Sequence, residues 1–466
     1  MTNKQLSQVE KMSLAWRRAL GAVVGVLVLM GPAAAAQSPE AERLKIERLP
    51  GVDGTVRLSQ YAGRLPVDRK NNGKMFFWLV EADRDAANKP LVIWLNGGPG
   101  ASSLNGLLWG NGPLTMAPSG KLSPSLYGWN KLANMLYVDQ PLGTGLSQVD
   151  AGGRVRTRDK VVADFYDFLV EFYRLFPDYR TRPLFLAGES FAGHYIPDFA
   201  RAILDRKNTP GGLQVQLAGL AIGSGWFDPV IQLRSNIDYA YAAGIIGDDG
   251  KAAAEKTFID IQKQIEAGTA NENTFGQGLG SVLAYSGTKT VAVNIYDIRS
   301  YEKNAGMDWP AATLKGIGSW LSRPDVLRAL HAQPQAAPFQ GFSEPIFGDL
   351  QRYYYSSSSE VLAGLLAEVP VLVFAGQWDF MSNHLGQERV LAALKWPGQQ
   401  GFAAAPRSVW LIGEQPAGYV RSHQNLIYLQ VLGAGHVVSY SAPGPALDMF
   451  GRFLSGKGFA DYSFGK

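Results

Sequence analysis

The sequence predicts an α/β protein: a doubly wound, mostly parallel sheet with a largely helical cap insertion. Three observations carry that expectation. Apolar runs of strand length recur along the chain, each ended by glycine or polar residues, as strands buried on both faces require. A strongly amphipathic helix lies between two of them, which makes a βαβ unit. Then, from about Pro229 to Glu368, no strong strand run appears.

In chain order, residues 1–36 come first. Lys11, Arg17 and Arg18 precede an apolar run from Ala19 to Met30, followed by Gly31-Pro32 and Ala34-Ala35-Ala36. Positive flank, short apolar core and small residues before a cut are the parts of an export signal, with cleavage expected after Ala36. The alanine content and the Gly-Pro break speak against a retained span, which needs about 20 strongly apolar residues. The expected mature protein, 37–466, is therefore periplasmic or extracellular, with no stable membrane insertion after cleavage.

The charge balance argues against a polyanion binder. The net charge is +4; Lys4, Lys11, Arg17 and Arg18 less Glu10 supply +3 in the leader, leaving the body near +1. Nucleic-acid binding needs denser positive charge and is not expected. Cys is absent, which excludes a disulfide framework, a cysteine nucleophile and a thiolate metal site. Neither a cofactor nor a metal is expected: His331, His384 and His423 lack ligand-like spacing, and the glycine-rich segment after Leu91–Leu95 has neither Gly-Lys-Ser/Thr nor a G-x-G-x-x-G opening a helix.

Within the body, Val56–Ala82 reads as short strands, with Asn71-Asn72-Gly73 as a turn before Met75–Val80. The buried-strand runs are Leu91–Leu95, Met135–Val138, Leu184–Ala187, Leu217–Ile222, Val369–Ala375 and Ile427–Leu432. Val161, Phe165, Phe168, Leu169, Phe172, Leu175 and Phe176 fall on one helical face, with Arg158 and Asp159 at its start. That stripe reads as core. In the block 229–368, Ala252–Ile265 looks helical, while Gly276–Gly280 and Ser286-Gly287 look like loops. An insert of this kind sits above a sheet as a cap and carries specificity, while the sheet carries the chemistry.

The strand Leu184–Ala187 runs into Gly188-Glu189-Ser190-Phe191-Ala192-Gly193. A serine on a sharp strand-to-helix turn with small neighbours is a nucleophile elbow; here Ala192 stands where the usual last glycine would, and Gly193 follows. Such a serine needs a base, and the base needs a third group to hold it. Asp379 follows the strand Val369–Ala375, and His436 follows Ile427–Leu432. Both thus sit at carboxyl ends of sheet strands, where doubly wound sheets build their sites. The order Ser190, Asp379, His436 is that of an α/β-hydrolase triad. His194, on the helix after the elbow, reads as packing or pocket lining. A glycine-rich segment, Asn96-Gly97-Gly98-Pro99-Gly100, follows Leu91–Leu95 and suits an oxyanion hole, with the backbone N–H groups of Gly98 and Phe191 as donors.

Here the chain resembles the serine carboxypeptidases, α/β-hydrolases that remove C-terminal residues from peptides. Trp94–Gly100 and Gly188–Gly193 are similar to two of that family's motifs, Tyr137–Gly145 to a third, and Gly433-Ala434-Gly435-His436 to its histidine motif. Gln60–Gly63 and Arg323–Val326 are fainter echoes. The resemblance implies the same triad and a substrate that is a peptide or protein C-terminus. It further implies that Asn96 and Glu189, with Trp94 nearby, bind the terminal carboxylate. A charged Glu189 would repel that group, so it must be protonated to donate, and binding is expected to weaken as pH rises, toward an acidic optimum. Three departures stand out. Gly110, beside Asn111, replaces the family's second glutamate, which blunts or shifts that optimum. Ala101 replaces a cysteine. Val437-Val438-Ser439 replaces Met-Val-Pro after the histidine and alters the leaving-residue pocket. Asp139 is expected to support the fold. An esterase or acyltransferase on the same scaffold is the alternative, since one fold hosts many chemistries; a non-catalytic binding protein would have no need of an activated nucleophile.

Overall fold

The computed structural model describes residues 37–52, 57–287, 291–303, 311–334 and 337–459. The expected leader, 1–36, lies outside them. Among the described residues no helix is long and apolar enough to cross a membrane.

Ten strands form the main sheet. They are β1 (Gln60–Asp68), β2 (Gly73–Val80), β3 (Leu91–Leu95), β6 (Asn134–Asp139), β7 (Pro183–Glu189), β8 (Gln216–Gly223), β11 (Val371–Gly376), β12 (Ser408–Ile412), β13 (Gln415–His423) and β14 (Leu426–Val431). Short pairs lie apart from it: β4 (Leu114–Met116) with β5 (Leu122–Pro124), and β9 (Val291–Val293) with β10 (Tyr301–Lys303). The order across the sheet is β1-β2-β6-β3-β7-β8-β11-β14-β13-β12. From β6 to β14 every neighbouring pair is parallel, and antiparallel strands flank both sides. This is the α/β-hydrolase architecture. All six apolar runs read from the sequence are strands of the parallel core, with ends displaced by no more than two residues.

The amphipathic stripe is the helix Arg158–Leu175, capped by Thr157 Oγ1, which accepts from the Lys160 N–H at 3.3 Å. Its phenylalanines are buried, and the Phe172 ring meets Phe77 of β2 edge-on at 5.9 Å. Burying each such side chain contributes roughly 1.5–3 kcal/mol, so this face sets where the helix docks. The helix Ala192–Arg206 follows β7, and Phe199 stacks on Phe165 at 3.8 Å, joining the two helices.

Between β8 and β11 the described chain is mainly helical, beginning with Pro229–Ala242 and Asp248–Glu266. The second contains the predicted Ala252–Ile265. The expected loop at Gly276–Gly280 is instead part of the helix Glu272–Leu283. Each helical glycine costs about 1 kcal/mol relative to alanine, but Asn271 and Thr274 form a capping box, and Phe275, Leu279 and Val282 bury one face. Caps and packing outweigh propensity there. The hairpin β12–β13 was not legible either: the apolar run in β12, Val409–Ile412, is only four residues long, and in β13 the exposed Gln415, Pro416 and Tyr419 break up any apolar run.

Candidate active site

Ser190 sits between β7 and the helix Ala192–Arg206 with φ +61°, in the left-handed region that a serine enters only when its surroundings demand it. The demand is visible. The Ser190 N–H donates to Gly223 O at 2.9 Å, and its carbonyl accepts from the Trp226 N–H at 2.8 Å. The turn closes so tightly that a Cβ on Gly188 would lie 2.3 Å from Leu95 O, and one on Gly193 2.5 Å from Trp226 O. Ala192, at the position between them, keeps its methyl. Glycine is therefore needed at 193 rather than 192. Ser190 Oγ forms no hydrogen bond among the described residues.

The loop after β3 lies directly against this elbow. A Cβ on Gly97 would fall 2.4 Å from Phe191 N and 2.8 Å from Ser190 Cβ. Gly98 follows with φ +105°. Neither the Gly98 nor the Phe191 N–H donates to a protein acceptor among the described residues, which leaves both for a ligand. The Phe191 ring is clamped, stacked on His194 at 4.6 Å and edge-on to Tyr353 at 5.1 Å. His194 is buried below, with Nδ1 2.6 Å from Trp226 O and Nε2 2.9 Å from Ser356 O, a packing position.

Parallel pairing of β11 with β14 brings their carboxyl ends together, Gly376 opposite Val431. The two turns that follow press so closely that a Cβ on Gly376 would lie 2.0 Å from Gly435 O. This contact joins Asp379 to His436: Nδ1 of the imidazole lies 2.9 Å from Asp379 Oδ2. The other carboxylate oxygen accepts from the Ser382 N–H at 3.1 Å. The His436 backbone is pinned twice, by its N–H on Tyr296 O at 2.7 Å and by Ser224 Oγ donating to its carbonyl at 2.8 Å. Burial pulls the imidazole's pKa down, but the charge and hydrogen bond of Asp379, with Glu189's charge adding, outweigh it, and the net shift is upward.

A second hydrogen-bonded chain ends beside the elbow. Trp94 Nε1 donates to Asn96 Oδ1 at 2.8 Å, and Asn96 Nδ2 donates to Glu189 Oε1 at 2.9 Å. All three side chains are buried. Burial chiefly, with Asp379's charge adding, pushes the Glu189 carboxyl up to about 7, against the opposing pull of His436 and Asn96. Glu189 and His436 thus feel each other's charge. Asp139, also buried, accepts from Ser102 Oγ at 2.6 Å, Ser103 N at 2.9 Å and Leu146 N at 2.8 Å. It ties the loop after β3 to the one after β6, a structural task as expected.

The helical turn after β3 holds two residues that sequence reasoning left without a role. Gly106 faces Asn96, and Gly110 faces Ser439, whose hydroxyl lies 2.9 Å from where a Gly110 Cβ would be. The replacement of Met-Val-Pro by Val-Val-Ser was the available signal; that Ser439 faces Gly110 was not legible.

An α/β-hydrolase sheet carrying a serine on such an elbow defines the class: a serine hydrolase. More narrowly, the chain belongs to the serine carboxypeptidase family, whose model matches residues 50–456. It is a serine-type carboxypeptidase. Among relatives it is similar to the pheromone-processing carboxypeptidase KEX1 of Coccidioides posadasii (strain C735), 35% identical over 447 residues, covering 91% of this chain and 69% of the relative. The corresponding kex1 protein of Aspergillus niger is 33% identical over 449 residues, covering 93% and 73%. Among solved structures it is similar to KEX1(delta)p, a prohormone-processing carboxypeptidase from Saccharomyces cerevisiae, with a TM-score of 0.81 and 27% identity, covering 90% of this chain and 97% of that one.

Proposed function

We propose that this carboxypeptidase is exported and cleaves C-terminal peptide bonds through an acyl-enzyme, with Ser190, His436 and Asp379 as its triad. The observation that carries the reading is the Trp94–Asn96–Glu189 chain, which ends one residue before the candidate nucleophile. A protonated Glu189 and the Asn96 amide are donors suited to a free α-carboxylate, and holding that group there brings the last peptide bond to Ser190.

In this scheme Ser190 Oγ attacks the carbonyl carbon while His436 Nε2 takes its proton. The resulting oxyanion is met by the N–H groups of Gly98 and Phe191. His436 passes the proton to the departing amine, the C–N bond breaks, and the C-terminal amino acid leaves. Water, deprotonated by His436, then attacks the ester; the bond to Ser190 Oγ breaks, His436 returns the proton to that oxygen, and the shortened peptide leaves. Asp379 keeps Nδ1 protonated and stabilises the imidazolium. Apo sites commonly lack the serine–histidine bond, which tightens when substrate binds. The chain between β8 and β11, about 229–368, serves as the cap over this edge and sets side-chain preference.

The sign of the pH dependence follows from two groups. His436 must be neutral to act as base, so kcat/KM falls on the acid side for every substrate. Glu189 must be protonated to hold a carboxylate, so binding weakens above about pH 7. An N-blocked dipeptide acid therefore gives a bell-shaped profile, whose limbs belong to the coupled pair, and its KM rises about tenfold per pH unit on the alkaline side. The corresponding dipeptide amide shows only the acid limb and a much lower kcat/KM. Equal kcat/KM for acid and amide, or a common alkaline limb, would refute carboxylate recognition.

Export rests on the leader's charged flank, apolar run and alanines. The N-terminus of the protein secreted by its native host, read by mass spectrometry, is expected at Gln37; a mature chain still beginning at Met1 would overturn this.

A further inference from the structure

We propose that Ser439 is a substrate-binding residue whose hydroxyl donates the second hydrogen bond to the terminal α-carboxylate, in a chain that has glycine where its family has a second glutamate. The proposal rests on the carboxylate reading above and assigns a new residue to that site.

Ser439 is only 5% exposed, and its Oγ, fully buried, has no hydrogen-bond partner among the described residues. A buried hydroxyl left unmatched costs free energy that ordinary folding avoids. It lies three residues beyond His436, at the start of the short helix Val438–Ser441. It abuts Gly110, which contributes no side chain. A Cβ on Gly110 would be 2.9 Å from Ser439 Oγ and 3.9 Å from Val437 Cγ1. One turn earlier, a Cβ on Gly106 would be 2.7 Å from Asn96 Oδ1 and 2.2 Å from Trp94 Nε1.

Gly106 and Gly110 belong to one widened helical turn, closed by the Asn111 N–H on Gly106 O at 2.9 Å. Positions four apart on a helix lie side by side, with Cβ sites about 5–6 Å from each other. The Gly106 end of this turn is thus covered by the Trp94 indole and Asn96, and the Gly110 end by Ser439, so Asn96 and Ser439 flank one helical turn at points about a turn apart. A carboxylate presents two oxygens with about four acceptor sites. Bound between Asn96 and Ser439, it receives the Asn96 amide N–H and Glu189 on one oxygen and the Ser439 hydroxyl on the other. A glutamate at 110 would have to protonate to serve, whereas a serine donates at any pH. Hence Glu189 alone makes carboxylate binding pH-dependent.

The test uses the mature enzyme with an N-blocked dipeptide acid and its amide, measuring kcat and KM separately. Ser439→Ala is expected to raise KM for the acid about 10- to 100-fold, the effect of one charge-assisted hydrogen bond, and to lower the acid-to-amide ratio of kcat/KM by the same factor. Ser439→Thr and Ser439→Val are nearly isosteric and separate the hydroxyl from the volume: the ratio is kept within about threefold in the threonine variant and lost in the valine variant. Fluorophosphonate labelling at Ser190 reports a folded site in each. A ratio unchanged in both alanine and valine variants, or equal losses for acid and amide, overturns the proposal. A wild-type enzyme that does not prefer the acid discards the carboxylate site itself, which is a distinct result.

Discussion

Ser190→Ala is expected to lower turnover of an N-blocked dipeptide acid by about 10⁴- to 10⁶-fold, with no loss of thermal stability. The size follows from the chemistry: without Oγ there is no acyl-enzyme, and what remains is catalysis by binding and the oxyanion donors. Folding survives because the turn is held through the backbone of residue 190, by Gly223 O and the Trp226 N–H, not through its side chain. Labelling by a fluorophosphonate should vanish in the same variant. Turnover within tenfold of wild type would remove Ser190 from the mechanism.

Asp379→Asn is expected to cost about 10⁴-fold in kcat. The carboxylate is fully buried and spends one oxygen on His436 Nδ1 and the other on the Ser382 N–H. An asparagine of the same shape can keep the second contact through its carbonyl oxygen. Its NH₂ then faces Nδ1, so the imidazole is favoured with its proton on Nε2, where it cannot accept from Ser190. Removing the charge also lowers the pKa of His436, moving the acid limb of the residual activity to lower pH. A small drop in kcat with an unmoved acid limb would show that another group holds the imidazole.

The expected acidic optimum is modified by the geometry. The resemblance implied a protonated glutamate, but how far its carboxyl rises depends on burial, and burial pushes Glu189 to about 7. With Glu189 in its proposed role, the loss of carboxylate binding is expected to move toward neutral pH. Its partner His436 is raised as well, so the window for free acids is narrow.

What could be read from residues alone were the features fixed by local pattern. Buried parallel strands must be continuously apolar, and a docked helix must carry its stripe, so the core of the sheet and the helix Arg158–Leu175 were visible. Glycines at a sharp turn and an Asp and His each placed just past a strand made the candidate triad legible, because a parallel sheet delivers all such ends to one edge. Other features arise from contacts between distant segments. The helix Glu272–Leu283 exists because caps and burial outweigh its glycines, and β13 is a strand through its pairing with β12 and β14 although exposed residues interrupt its apolar pattern. The pairing of His436 with Asp379, the proton affinity of Glu189 and the meeting of Ser439 with Gly110 were decided by tertiary structure. Each depends on which groups burial leaves facing one another, and no spacing along the chain encodes that distance.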